Sequence, residues 1–506
     1  MTDQAPVREV HPKAPALTGN WLSMVGMLIA ACSFFAATVL LTINMLAPFG
    51  NPYMGILVYL IAPAFLLLGL LLVGTGAWRE RRRRRRLAPG VVPQFPRIDF
   101  NLPRQRRIAV IGTALVLAFL LVTAVGSYQT YEYSESVAFC GQVCHGVMRP
   151  EYTAYQNSPH ARVACVACHI GPGASWFVRS KVSGAYQVYA TLTDVYPRPI
   201  PTPIEHLRPA QQTCEQCHWP AKFYGDAERV WHHFLSDERN SPWTIRLLMK
   251  VGGGDPTHGP VGGIHWHMNI ADEVEYIATD ANRQTIPWVR ITRRDGTVTV
   301  YQSQDAPLTP AQIAAAVPRR MDCIDCHDRP SHDYLDPAHA VDIAMSIGRI
   351  DPAIPFIKKE AVAVLAEKYA STAEAQAAIA EKLTTYYETR YADFTAGHRA
   401  MITQAIAGVQ EIYRLNFFPE MHVDWKVYPN NIGHLTAPGC YRCHDGNHVS
   451  ADGEVVKHDC DSCHVILAQG SAAKLQPERL EFEHPADIGD LWQQMSCDQC
   501  HTGGPS

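Results

Sequence analysis

Fourteen of the fifteen cysteines fall into seven units in which the second Cys is followed at once by His. Six units keep two residues between the cysteines: Cys165-Val-Ala-Cys168-His169, Cys214-Glu-Gln-Cys217-His218, Cys323-Ile-Asp-Cys326-His327, Cys440-Tyr-Arg-Cys443-His444, Cys460-Asp-Ser-Cys463-His464 and Cys497-Asp-Gln-Cys500-His501. The first unit is wider, Cys140-Gly-Gln-Val-Cys144-His145, and Met148 lies three residues past its His. Two thiols on one side of a tight turn can form thioethers to one porphyrin, and the adjacent His is then carried beneath its iron. C-x-x-C-H is the attachment signature of c-type haem for that reason. Disulfides would not require a His after every second Cys, and zinc ribbons need paired knuckles, which an odd seven does not give. The pattern therefore predicts seven covalent haems c. Cys32, the leftover, sits in an apolar run and reads as a small packed hydrophobe.

These motifs need a platform, and the N-terminal part supplies one. No charged side chain occurs from Ala14 to Trp78, and Pro48 to Asn51 split this run into two stretches, Trp21–Ala47 and Tyr53–Trp78, each long enough to span a bilayer. Ile108–Ser127 is a third uncharged stretch. The first is too long for the apolar core of a cleaved signal peptide and is followed at once by a second span, so retention is expected. Between the second and third spans lies Arg79-Glu80-Arg81 to Arg86, with Arg97, Arg104, Arg106 and Arg107 beyond. A run like this can bind nucleic acid, but membrane helices on both sides give it another role, and no nucleic-acid partner is expected. The positive-inside rule puts it in the cytoplasm and everything after Tyr128 outside, in the periplasm of a bacterium with its inner membrane holding the anchor. The chain's net charge is −4 although this loop holds eleven Arg against Glu80 and Asp99, so the exported part is acidic and suits a positively charged protein partner.

About 380 residues follow Tyr128, too few per motif for a conventional core, so the haems themselves must serve as core. Glu275–Gln302 alternates β-formers around an Asp-Gly turn and predicts one β-hairpin. Glu360–Leu415, rich in Ala, Glu and Lys, predicts two or three helices as a packing arm. The fold class expected is a membrane-anchored multihaem cytochrome c: three N-terminal transmembrane helices and a mostly α/loop, haem-packed exported domain with one β-hairpin. Its parts are a cytoplasmic tail (1–20), a transmembrane hairpin (21–78), a basic loop (79–107), a third anchor (108–128), a tetrahaem module (129–335), a helical insert (336–425) and a trihaem module (426–506).

Each iron needs a second axial ligand or a vacancy. Outside the motifs, fifteen histidines follow Tyr128, about twice the demand, and most lie near a motif. A mostly bis-His set of low-spin, electron-carrying haems is expected. For the last three motifs His422, His434, His448 and His484 are candidates, with no pairing assigned.

The stretches CVACHIGPGASWFVRSK (165–181), CEQCH (214–218) and CIDCHDRPSH (323–332) resemble the NapC/NirT family of membrane-anchored tetrahaem quinol dehydrogenases over residues 108–335. With three spans and three further motifs, the chain is similar to the seven-haem inner-membrane cytochromes of metal-respiring bacteria. The resemblance implies that His332 is the distal ligand of the second haem and His160 that of the third. His233, His265 or His267 would serve the fourth. The family's first haem lies at the membrane surface and can take a Met two residues past the motif His; here the choice lies between His145 and Met148. Lys181 corresponds to the family's quinol-site lysine. Where the family has an acidic residue about two helical turns later, this chain has Gln187, and the first nearby acid is Asp194. A propionate, Lys181 or Asp194 would then take the quinol proton.

The function expected is oxidation of membrane quinol, with electrons relayed to a soluble periplasmic cytochrome or a terminal reductase in anaerobic or metal respiration. Two alternatives stand beside it: the reverse relay, which uses the same residues to reduce quinone from an external donor, and a catalytic multihaem oxyanion reductase, which would require an open iron ringed by catalytic His, Arg or Tyr.

Overall fold

The computed structural model describes residues 16–46, 62–86, 99–171, 173–204, 208–223, 225–252, 262–268, 272–471, 476–477 and 481–503. They form two compact units, one from Met1–Ser134 with Ile170–Ala185 and the other from Glu135–His169 with Tyr186–Ser506.

In the first unit, helices Trp21–Leu46 and Ala62–Arg84 pack against each other through small residues. A Cβ on Gly69 would stand 2.6 Å from the Ala30 nitrogen, and one on Gly26 would stand 2.7 Å from the Gly69 carbonyl oxygen. Ser23 Oγ donates to the Val73 carbonyl at 3.1 Å. Lipid offers no hydrophobic drive for helix pairing, so backbone approach at glycine and an interhelical hydrogen bond are what hold such a hairpin. The basic run is not wholly a loop: the second helix continues through Arg84, whose Nε donates to the buried Glu80 at 3.0 Å.

Among the described residues two helices, Trp21–Thr38 and Ala62–Arg84, are long and apolar enough to cross a membrane, where three were expected. The third stretch, Ile108–Ser127, is continuous helix within Pro103–Ser134, but several of its side chains lie outside the described residues. The turn at Pro48 to Asn51 lies outside them altogether.

The second unit holds more strand than the single hairpin expected. Nine strands occur among the described residues: β1 (Ala227–Phe234), β2 (Pro242–Met249), β3 (Glu273–Ile277), β4 (Trp288–Thr292), β5 (Val298–Ser303), β6 (Arg319–Arg320), β7 (His448–Ser450), β8 (His464–Gly470) and β9 (Gln476–Pro477). They build two antiparallel sheets, β1-β2-β8-β9 and β6-β3-β4-β5-β7. The segment Glu275–Gln302 is thus most of a three-strand meander, with β4 and β5 flanking the Asp295-Gly296 turn. The sequence blocks 129–335 and 426–506 share both sheets, because β8 pairs with β2 and β7 with β5.

The insert supplies the main apolar core. Helices Pro337–Ser346, Ile357–Ala366, Thr372–Arg390 and Ala392–Asn416 pack together, the last kinked at His398. Thr372–Arg390 buries Ala375, Ile379, Leu383 and Tyr387, a single stripe at i+4 spacing, and Ser371 caps its start by accepting from the Glu374 amide.

Gly69→Ile should destabilise the anchor hairpin by about 1–3 kcal/mol, the usual cost of overpacking. Gly74→Ile should leave it intact, since a Cβ there meets nothing within 4 Å. The midpoint of an SDS titration of the detergent-purified protein, read as protease resistance of the anchor, separates the two outcomes.

Candidate functional site: paired histidines across seven motifs

Each regular motif folds as one helical turn. The histidine amide reaches back to the first cysteine's carbonyl, at 2.8 Å in His218 and His327, 3.0 Å in His444 and 2.9 Å in His501. That turn sets both sulfurs on one side with the histidine just beyond. The wide first motif solves the same problem differently. Phe139–Val143 is a π-helix, whose wider turn absorbs the extra residue between Cys140 and Cys144. Gly141 is obligatory there: a Cβ would stand 2.1 Å from the Tyr152 ring, which packs against the turn from helix His145–Gln156.

Six motif histidines each face one histidine from elsewhere in the chain. The ring centroids are 6.3 Å apart for His169 and His332, 6.1 Å for His218 and His160, and 6.2 Å for His327 and His265. They are 5.8 Å apart for His444 and His267, 6.3 Å for His464 and His434, and 6.2 Å for His501 and His484. A metal with an imidazole nitrogen about 2 Å away on each side puts the two ring centres about 6 Å apart. Aromatic contacts alone span a similar range, but chance contact would not give each of these motif histidines one imidazole partner. Among the described residues no third Cys, His or carboxylate joins any pair, as tetrahedral zinc would require. The residues therefore fit covalent haem with two axial imidazoles.

The local chemistry suits ligation. Burial lowers the pKa of His169, His265, His267, His327, His434, His464 and His501, keeping these imidazoles neutral with a lone pair available. Burial and then the Arg329 guanidinium push His332 down to about 4. Backbone carbonyls hold Nδ1 of several rings, leaving Nε2 for a metal. His332 Nδ1 lies 3.0 Å from Glu151 O, and His160 Nδ1 lies 3.1 Å from Pro330 O, so the segments that carry these two rings fix each other.

The motif sulfurs also mark an order. Cys140 lies in hydrogen-bond reach of Cys165 and Cys214 of Cys323, while Cys168 lies within electrostatic reach of Cys214. Cys326 lies within electrostatic reach of Cys440, Cys440 of Cys463, and Cys460 of Cys497. Each motif thus lies within electrostatic reach of the next. The contact between the fourth and fifth is tied by side chains inside the motifs themselves. Arg442 donates to Asp325 O at 2.7 Å and to Arg283 O at 2.9 Å. The buried Asp325 carboxylate accepts from Tyr276 at 2.8 Å, Arg319 at 2.8 Å and Arg283 at 3.1 Å. Sequence reasoning missed Arg442, Asp325 and Tyr441 because they occupy the variable positions of the motifs. Tyr441 stacks on His434 with centroids 4.5 Å apart.

Three sequence candidates face no motif histidine. His233 Nδ1 lies 3.1 Å from the Asp342 carboxylate, which also takes the buried Lys358 ammonium. His448 has both ring nitrogens engaged, with Asp445 at 2.8 Å and Ile286 O at 2.7 Å, so no lone pair is left for iron. His422 is directed by a left-handed backbone toward Arg198 O at 3.3 Å. His206 and His258 lie outside the described residues. So does the side chain of His145, while Met148 is half-buried one turn further along the same helix.

In the other unit, Lys181 lies on helix Ala174–Thr193 and donates to Ser134 Oγ at 3.2 Å. Its ammonium sits 4.8 Å over the Phe177 ring, which in turn contacts Tyr131. Ser134, Phe177 and Tyr131 had no signal in the sequence. Gln187 follows on the same helix, its carbonyl accepting from Thr191. Asp194 is exposed, and one of its carboxylate oxygens accepts from Arg198 at 2.5 Å.

Residues 103–199 match the NapC/NirT cytochrome c family, N-terminal region. The chain is 46% identical over 483 residues, 95% of each chain, to the cytochrome c-type protein ImcH of Geobacter sulfurreducens. No solved structure matches the chain.

Gly141→Ala should drive a methyl into Tyr152 and lower the haem content by one per chain. Gly146→Ala, where a Cβ meets nothing within 4 Å, should keep full content. A pyridine haemochrome assay against protein concentration reads the difference.

Proposed function

Since the chain belongs to the NapC/NirT cytochrome c family, we propose that it is an inner-membrane quinol-oxidising relay with seven covalent haems c on the periplasmic side. The observation that carries the reading is the set of six facing histidine pairs on six successive motifs. Two imidazoles per iron close both axial positions, which suits one-electron relay and leaves those six centres no vacant position for reducing an oxyanion. The pairs assigned are His169 with His332, His218 with His160, His327 with His265, His444 with His267, His464 with His434 and His501 with His484. The first iron takes His145 or Met148.

Bound haem supplies reversible one-electron transfer; the protein fixes spacing, ligands and surroundings. Sulfurs of successive motifs within electrostatic reach of one another keep the tethered edges of neighbouring porphyrins close. Arg442 and Asp325 clamp the passage from the first four motifs to the last three. Ile264–Met268, one 3-10 turn, carries both His265 and His267 and so ties the fourth and fifth centres to one rigid element.

Helix Pro103–Ser134 serves as the third anchor and delivers Ser134 to the quinol site. There the Ser134 hydroxyl holds the Lys181 ammonium, which donates to a quinol oxygen and favours its negative charge as the proton leaves. Phe177 and Tyr131 offer an apolar wall to the quinol ring. Electrons leave toward a soluble cytochrome or reductase at the acidic exported surface.

Lys181→Ala should slow haem reduction by a quinol analogue about 10- to 100-fold, as misplacement at a reacting centre does. Reduction by dithionite should be unchanged. Stopped-flow absorbance of the haem bands measures both, and equal quinol rates in variant and parent would contradict the site.

A further inference from the structure

The proposed ligand pairs are not held alike. In the fifth centre both imidazoles are anchored: His267 Nδ1 lies 2.9 Å from Ile264 O, and His444 Nδ1 lies 2.5 Å from Lys457 O. In the second, third, fourth and seventh, one ring of each pair has such a partner: His332 with Glu151 O, His160 with Pro330 O, His265 with Val251 O and His484 with Ala486 O. The sixth differs. Nδ1 of His434 and Nδ1 of His464 are both sealed from solvent; that of His464 has no hydrogen-bond partner, and that of His434 has none beyond its own backbone.

That difference has a known electronic consequence. An Nδ1–H donating to a carbonyl gives its ring more anionic character, makes it a stronger donor through Nε2 and so stabilises the oxidised iron. Two bonds favour the ferric state most. Two buried rings with no partner elsewhere in the chain favour it least, and burial away from water adds to the same bias. Tyr441, from the fifth motif, stacks on the face of His434 and helps to exclude water from it. One charge opposes this trend. Asp498, in the seventh motif, lies in electrostatic reach of His434, though its Oδ1 is also buried without a partner. Its side chain as a whole is half-exposed, so solvent screens its charge.

We propose that the haem of the sixth motif is the most oxidising of the six bis-histidine centres and that of the fifth the most reducing. The steepest downhill step then lies between the fifth and sixth motifs, and it directs electrons toward the C-terminal motifs. This rests on the ligand assignment above.

Potentiometric titration of the full haem-loaded protein, followed by low-temperature electron paramagnetic resonance and near-infrared magnetic circular dichroism, tests it. His434→Met should abolish the bis-histidine signal that is reduced first, and His267→Met the one reduced last. Loss of a signal from elsewhere in the series would overturn the ordering while leaving the ligand pairs standing. Loss of no bis-histidine signal would overturn the ligand assignment, and the ordering with it. Asp498→Asn keeps every ligand and serves if either variant fails to assemble. It should move the first-reduced transition further upward; a larger movement of any other transition contradicts the proposal.

Discussion

Two imidazole rings must be held with their edges pointed at each other across a gap one porphyrin thick, and they must be held by the backbone. That requirement organises the part of this chain that carries the motifs. A motif histidine is fixed by its own helical turn, but its partner arrives from far away in sequence. His332 faces His169, and His160 faces His218, while the segments bearing His332 and His160 bond to each other through Pro330 O and Glu151 O. Removing either segment would therefore loosen two proposed centres. The same economy recurs at Ile264–Met268, where alternate residues of one turn face His327 and His444.

The sheets and the insert make sense as supports for those rings. β8 begins at His464 and pairs with β2, which leads through Lys250 and Val251 toward the turn bearing His265 and His267. β7 pairs with β5 and brings the fifth and sixth motifs against the body built around the fourth. The four helices of the insert have a conventional apolar core, so they provide rigidity that the porphyrin-lined part cannot provide alone. They are a brace rather than a redox element.

Much of this was legible because it is local. Cysteine spacing, the following histidine, the apolar runs and the Ala-rich helices each depend on a few neighbouring residues. Distal partners are tertiary, and the sequence offered about twice as many histidines as needed. Proximity to a motif pointed to His233, His422 and His448 as readily as to His265, His434 and His484. What separates them is a partner: Asp342, Arg198 O, and the Asp445–Ile286 O pair claim the first three. The single hairpin expected became two sheets for a similar reason. β2 and β8 lie more than two hundred residues apart, and no local pattern announces that pairing. The wide first motif was visible as an anomaly, but its resolution as a π-helix over Gly141 needed Tyr152 in place.

The central claim is that six irons each sit between two histidines. Near-infrared magnetic circular dichroism of the oxidised, haem-loaded protein tests it directly, because the charge-transfer band separates bis-histidine from histidine–methionine and high-spin iron. The account predicts six bis-histidine centres per chain, with only the first haem free to differ. Fewer than six, or a high-spin iron among the last three motifs, would contradict it.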